Sequence, residues 1–274
     1  MSITVHSTED IQCMRVAGRL ACEVLDFITP YVKAGITTGE LDRLCHEYIV
    51  KVQGAIPATL NYVLPGYPPF PKSICTSVNH VICHGIPGDQ VLKTGDIINV
   101  DVTVIKDGYH GDTSRMFYVG ETSDVARRIC EVALDCMWAG IAQVKPGAYV
   151  GDIGWAIQQH AEASGVSAVP QLGGHGIGKK FHDDPFVPSF GKPGTLAMIV
   201  PGMIFTVEPI VNVGGPEFDT LADGWGLVTR DHSLSAQWEH TVLVTETGVE
   251  ILTAPAACTG LSESRAYARI HEPG

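Results

Sequence analysis

The feature that most constrains this chain is that it repeats itself. KAGITTGELDRL at 33–44 recurs as KPGAYVGDIGWA at 145–156, an offset of 112 that keeps a lysine, two glycines, an acid and an aliphatic residue in step. TGDIINVDVTV at 94–104 is echoed by PGMIFTVEPIV at 201–211, an offset of 107, which sets Asp101 against Glu208. Two echoes in the same order at nearly the same offset imply a duplicated αβ half. The chain therefore reads as one domain over 1–274, with halves of about 8–120 and 121–253 and a site shared between them. Residues 254–274 have no counterpart in the repeat and read as a C-terminal extension. The first half alone carries a Pro/Gly-rich segment, NYVLPGYPPFPKS at 61–73, a candidate functional loop.

A chain of 274 residues with 45% apolar and 18% charged residues can build a core unaided. The net charge of −12 is spread evenly, with 11 basic against 16 acidic residues in 1–137 and 7 against 14 in 138–274. That distribution excludes a DNA or anionic-membrane surface, since both select clustered Lys and Arg. The eight cysteines contain no CxxC pair and sit mostly in apolar stretches, as free thiols do in a reducing compartment. The N-terminus has acids where a signal peptide has a basic region, and no 18-residue apolar run occurs, so the expectation is a soluble cytoplasmic protein.

Apolar residues at Ile11, Met14, Ala17, Ala21, Val24 and Ile28 mark one helical face, and Ser7 with Asp10 forms a capping-box pattern, so a helix is expected from Ser7 to about Pro30. Thr37-Thr38-Gly39-Glu40 opens a second helix, 122–144 has helical spacing again, and 97–119 reads as two strands joined by a turn containing Asp107-Gly108. Helices with antiparallel strands give an α+β class.

In Asn99-Val100-Asp101-Val102-Thr103-Val104 the strand period places the valines on one face and Asp101 on the other. A hairpin centred between Lys106 and Asp107 would set Asp101 directly opposite Asp112, an arrangement that is unfavourable unless a cation lies between them. The second copy adds Glu208 in FTVEPIV and Glu239 in SAQWEHTVLV, and GGHGIG adds His175, where flanking glycines would let the backbone turn tightly and leave the imidazole accessible. Four carboxylates and one imidazole, with no thiolate, suit a pair of Mn, Fe or Co ions. Two such ions about 3.5–4 Å apart polarise a carbonyl and activate water together, which makes amide hydrolysis the natural chemistry. His84 in VICHGIP and His182 in KKFHDDP stand close enough in sequence to hold a substrate amide or its oxyanion. His46, His80, His160, His232 and His271 read as surface or structural residues.

CHGIP, NVDVTVIKDGYHGDTSRMF, GHGIGKKFH, FTVEP and DHSLSAQWEHT, in this order and spacing, resemble the bacterial type I methionine aminopeptidases over about residues 5–253. The resemblance implies the two-fold pita-bread fold. It implies Asp101, Asp112, His175, Glu208 and Glu239 as metal ligands, with Asp112 and Glu239 bridging. By the same resemblance Glu208 takes the proton of the attacking water, His84 and His182 hold the scissile peptide, and Tyr67, Phe70, Cys75, Phe181 and Trp225 receive the methionine side chain. The implied activity is N-terminal methionine excision from nascent polypeptides whose second residue is small, by a monomer in transient contact with the ribosome. The chain departs from the family pattern at Leu172 and at Ser189. Proline-specific relatives carry a large domain before the catalytic one, and type II methionine enzymes a long insertion where only 33 positions separate His175 from Glu208. Partner-binding proteins of this fold have lost ligands that are all in place here.

Overall fold

In the computed structural model, which describes residues 3–255, 257–260, 262 and 264–265, helix α1 (Thr8–Ile28) starts from the capping box. Ser7 Oγ accepts from Asp10 N at 3.2 Å and Asp10 Oδ2 from Ser7 N at 3.1 Å. Thr37 Oγ1 caps α2 (Thr38–Glu47) by accepting from Glu40 N. The first half continues with β1 (Ile56–Pro57), β2 (Cys75–Val78), β3 (Val81–Cys83), β4 (Ile97–Lys106) and β5 (Tyr109–Tyr118). Helices α3 (Asp124–Ile141) and α4 (Val150–Ala163) open the second half. Thr37, before α2, bridges to Val91, and Tyr149, before α4, bridges to Met198.

The second half supplies β6 (Ser167–Ala168), β7 (Gly173–Gly176), β8 (Asp183–Pro188), β9 (Ile204–Val207) and β10 (Ile210–Asn212). It continues with β11 (Phe218–Thr220), β12 (Leu227–Thr229), β13 (Ser235–Gln237), β14 (His240–Val244) and β15 (Val249–Ile251). All pairings are antiparallel. Strand β4 has β5 along one edge and β1 and β2 along the other, and the second half builds a sheet in the order β15-β14-β9-β7-β8. The architecture is α+β.

Each half has its own apolar core between helices and sheet. Val24, Leu25 and Ile28 of α1 meet Ile98, Val100, Val102 and Val104 of β4 in the first. Ile129, Ala133 and Met137 of α3 meet Phe205, Val207 and Val242 in the second. Because strand side chains alternate, burying these residues against helices turns Asn99, Asp101, Thr103, Thr206 and the position of Glu208 to the opposite, inner side of the sheets. The halves join there: Ser114 bridges to Glu239, Thr113 Oγ1 donates to Glu239 O at 2.7 Å, and Thr241 Oγ1 donates to Asp112 O at 2.7 Å.

The hairpin register differs from the sequence expectation. Asp101 pairs with Ser114 and Thr103 with Asp112, because the turn is Asp107-Gly108 with both residues at positive φ, 50° and 83°. A centre between Lys106 and Asp107 would have required Lys106 to adopt positive φ, which a two-residue turn of this hand assigns to Asp and Gly far more cheaply. The slip is two residues, so both carboxylates keep their face and meet as diagonal neighbours.

Among the described residues no helix is long and apolar enough to cross a membrane. No disulfide joins any of the eight cysteines, all of which lie among the described residues. Of the extension 254–274, Thr259 O accepts from Ile251 N and Arg265 reaches Asp135 at 3.2 Å; residues 256, 261, 263 and 266–274, His271 among them, lie outside the described residues.

Candidate metal centre

Strands β4 and β5 bring Asp101 and Asp112 to the inner face, where Asp112 is 4% exposed and its Oδ1 accepts from Thr103 Oγ1 at 2.6 Å. His175 stands on β7. Its flanking glycines do not form the turn that the sequence suggested: 173–176 is extended strand, and the glycines serve close approach instead. A Cβ at Gly174 would lie 2.1 Å from Thr206 O, and one at Gly176 would lie 2.1 Å from Asp184 O. Strands β8 and β9 can therefore close on both sides of His175, and Thr206 Oγ1 accepts from His175 N at 2.9 Å.

Glu208 lies in the break between β9 and β10, where Pro209 cannot donate to a ladder. Thr206 Oγ1 donates to its Oε1 at 2.7 Å and Gln237 Nε2 to its Oε2 at 3.1 Å. His175 Nε2 lies 3.6 Å from Asp112 Oδ2 and 3.6 Å from Glu208 Oε1. Glu239, 2% exposed, enters from the seam between the halves.

These groups fit a cation. Asp112, His175 and Glu239 each offer a ligand atom within 4.8 Å of the others. Glu239 Oε1 is buried with no hydrogen-bond partner, a costly state that a cation relieves. Burial, reinforced by neighbouring carboxylates, pushes Asp101 and Glu239 well above the usual carboxylate range. Burial also raises Glu208 to about 7, with Asp112 adding to the rise and His175 opposing it. Burial depresses His175, but its contacts with Asp112 and Glu208 outweigh that and raise it. Carboxylates and imidazole without thiolate are donors for Mn, Fe, Co or Zn.

A cavity of about 560 Å³ opens onto the cluster. At one end Phe70, Cys75 and Trp225, all at most 5% exposed, form an apolar group, and Trp225 Nε1 donates to Pro68 O at 2.9 Å. Phe181 lines another wall, stacked on His110 at 5.5 Å. His84 and His182 line it too. Burial lowers the pKa of His84 and takes His182 down to about 3, so both rings are neutral at neutral pH.

Tyr67 is not in this wall. It is 48% exposed and packs on Trp225 from outside at 5.1 Å; Asn61 N–Phe70 O and Phe70 N–Tyr62 O bonds close the base of a loop from which Leu64 still lines the cavity while Tyr67 turns outward. Tyr62 lines the wall instead, 4.9 Å from Phe181, with its hydroxyl 2.7 Å from His182 Nδ1. Tyr62, Thr206 and Gln237 were not singled out by the sequence. Thr206 and Gln237 each stand two residues before an acid of the cluster, and that strand parity was the available signal. Leu172 lines the cavity mouth, whereas Ser189 is buried at the end of β8. His46 bonds Ser73 Oγ through Nδ1, and His80 faces His232 at 5.5 Å, away from the cavity.

The model of metallopeptidase family M24 matches residues 12–246. The chain is 52% identical over 254 residues to the methionine aminopeptidase of Escherichia coli (strain K12), covering 92% of this chain and 94% of that one. It superposes on the crystal structure of methionine aminopeptidase from Rickettsia prowazekii with a TM-score of 0.88 at 52% identity, covering 92% of this chain and 100% of the other. Prolidase from Pyrococcus furiosus shares the fold with a TM-score of 0.69 at 21% identity, and the match spans 65% of that chain.

Proposed function

The chain belongs to metallopeptidase family M24, and from that premise we propose that it removes the first methionine of a polypeptide whose second residue is small. It is a methionine aminopeptidase, a metal-dependent exopeptidase on the α+β pita-bread fold. The observation that carries the substrate reading is the cavity itself: an apolar end built of Phe70, Cys75 and Trp225 opens directly onto the carboxylate–imidazole cluster. Soft sulfur and aromatic walls suit an unbranched thioether, while a charged first residue would be desolvated without a partner.

Asp101, Asp112, His175, Glu208 and Glu239 would hold two divalent ions, Mn, Fe or Co, with Asp112 and Glu239 shared. Bound there, the ions supply Lewis acidity that polarises the scissile carbonyl and acidifies water. Glu208 receives the proton of the attacking water, its two oxygens held by Thr206 and Gln237. His84 and His182, kept neutral by burial, each retain one N–H for the peptide and its developing oxyanion. Tyr62, Leu64 and Phe70 of the 61–73 segment line the cavity together with Phe181, and this bulk beside the cluster favours Gly, Ala, Ser, Thr, Pro or Cys as the second residue.

A single catalytic domain acting as a monomer on nascent chains near the ribosome, in the cytoplasm, completes the reading; eight cysteines without a disulfide are in keeping with a reducing compartment. The test is an anaerobic assay of the apoprotein, reloaded with Mn, Fe or Co in turn, on Met-X-Ser and X-Ala-Ser peptides. Release of methionine from Met-Ala-Ser but not from Met-Lys-Ser is expected. Efficient release of Leu, Lys or Pro from the first position would overturn it.

A further inference from the structure

The geometry points to Tyr62 as the residue that positions His182: its hydroxyl donates to Nδ1 and so fixes the ring in the tautomer that carries hydrogen on Nε2. This rests on the reading of His182 as a donor to the substrate. A neutral imidazole has one donor and one acceptor nitrogen, and the partner of one decides what the other can do. The Tyr62 hydroxyl lies 2.7 Å from Nδ1. A phenol hydroxyl is a better donor than acceptor and a bare imidazole nitrogen a good acceptor, so the hydroxyl donates there, which leaves Nε2 with the hydrogen that an oxyanion or amide carbonyl needs.

Tyr62 is itself held in place. Its backbone N–H donates to Thr59 O at 2.9 Å and its carbonyl accepts from Phe70 N at 2.9 Å, while Asn61 N donates to Phe70 O at 2.8 Å. Its ring rests on Phe181 at 4.9 Å and beside His182 at 5.4 Å. The far end of the 61–73 segment is tied to α2, because Asp42 Oδ1 accepts from Ser73 N and Ile74 N. The segment thus presents one hydroxyl from a rigid neck to one ring nitrogen. An aromatic wall for the thioether would need no hydroxyl at this position, and Phe would serve equally.

Tyr62→Phe keeps the ring contacts and removes only the donor. In zinc-loaded, ¹⁵N-labelled protein, His182 of the parent chain is expected to show a protonated Nε2 and an unprotonated Nδ1, and the variant a mixture of tautomers. With the metal that supports turnover, kcat is expected to fall about tenfold, as when an orienting hydrogen-bond partner is lost, with KM within about twofold. In a His182→Ala background the same change should cost nothing further. Unchanged His182 ¹⁵N shifts in Tyr62→Phe, or a kcat loss that persists without His182, would overturn the proposal. If His182→Ala alone left kcat intact, the donor reading of His182 would fail instead, and the ¹⁵N shifts would still decide whether Tyr62 sets the tautomer.

Discussion

Thr206 and Gln237 hold Glu208 by one oxygen each, so that its carboxylate has a single orientation in the cavity. Glu208→Gln puts an amide in that place, removing the proton acceptor and one ligand charge while conserving shape. Turnover on Met-Ala-Ser should fall about a hundredfold or more with the circular dichroism spectrum unchanged; near-normal turnover would mean that the proton goes elsewhere. Asp112→Asn and Glu239→Gln act differently, since each removes a shared ligand from a buried cluster. They should lower bound metal per chain, measured by atomic emission after dialysis, and unchanged stoichiometry would show that neither is shared. At this scale the acids of the site were legible in the sequence because an acid inside an alternating apolar strand has nowhere to go but the face opposite the core. Tyr67 was misplaced for a physical reason: in a segment as rich in Pro and Gly as 61–73, no periodicity tells which aromatic turns inward. That choice between Tyr62 and Tyr67 is made within the closed loop, whose base two backbone hydrogen bonds fix.

Strands β7 and β9 approach so closely at Gly174 that a methyl group there would sit against the Thr206 carbonyl. Gly174→Ala is expected to force the strands apart, lowering stability by about 1–3 kcal/mol and separating His175 from Glu208. Both effects are measurable, as a lower Tm and as lower metal content. Loss of stability without loss of metal would show that β7 positions His175 independently of β9. The sequence signalled special glycines around His175 but not what they do, since a glycine at a turn and a glycine under a neighbouring strand look alike without the partner. The β4–β5 hairpin shows a related limit. Its strands and its turn residues were readable, yet the register hung on which pair takes positive φ, and only the parity of the two faces survived the two-residue slip.

Two of the four sheets, the one built on β4 and the one in the order β15-β14-β9-β7-β8, meet at one seam where Ser114 bridges to Glu239, and the carboxylate–imidazole cluster lies across it. Thr241 Oγ1, donating to Asp112 O, ties the halves at a ligand; Thr241→Val would leave a buried carbonyl unpaired, at a cost of about 1–3 kcal/mol, visible as a lower Tm. The larger consequence of the cluster is in its proton linkage. Burial raises Asp101, Glu208 and Glu239 above their unfolded values, Glu208 to about 7. A raised carboxylate contributes stability that is full below the unfolded carboxylate range and is lost as pH climbs through the folded value. The metal-stripped fold is therefore weakened by these groups toward neutral and alkaline pH. His182 and His240, both lowered to about 3 by burial, act with the opposite sign, weakening the fold as pH falls below the usual histidine range. His240, lowered by burial and by Arg115, lies apart from the ligands, so the difference between loaded and stripped protein reports chiefly on the ligands. Bound ions need the carboxylates ionised, and each proton displaced makes binding about tenfold tighter per pH unit. The gap in Tm between manganese-loaded and stripped protein should therefore widen from about pH 6 to about pH 8. A gap that stayed constant or narrowed would mean that these carboxylates are not the groups that hold the ions.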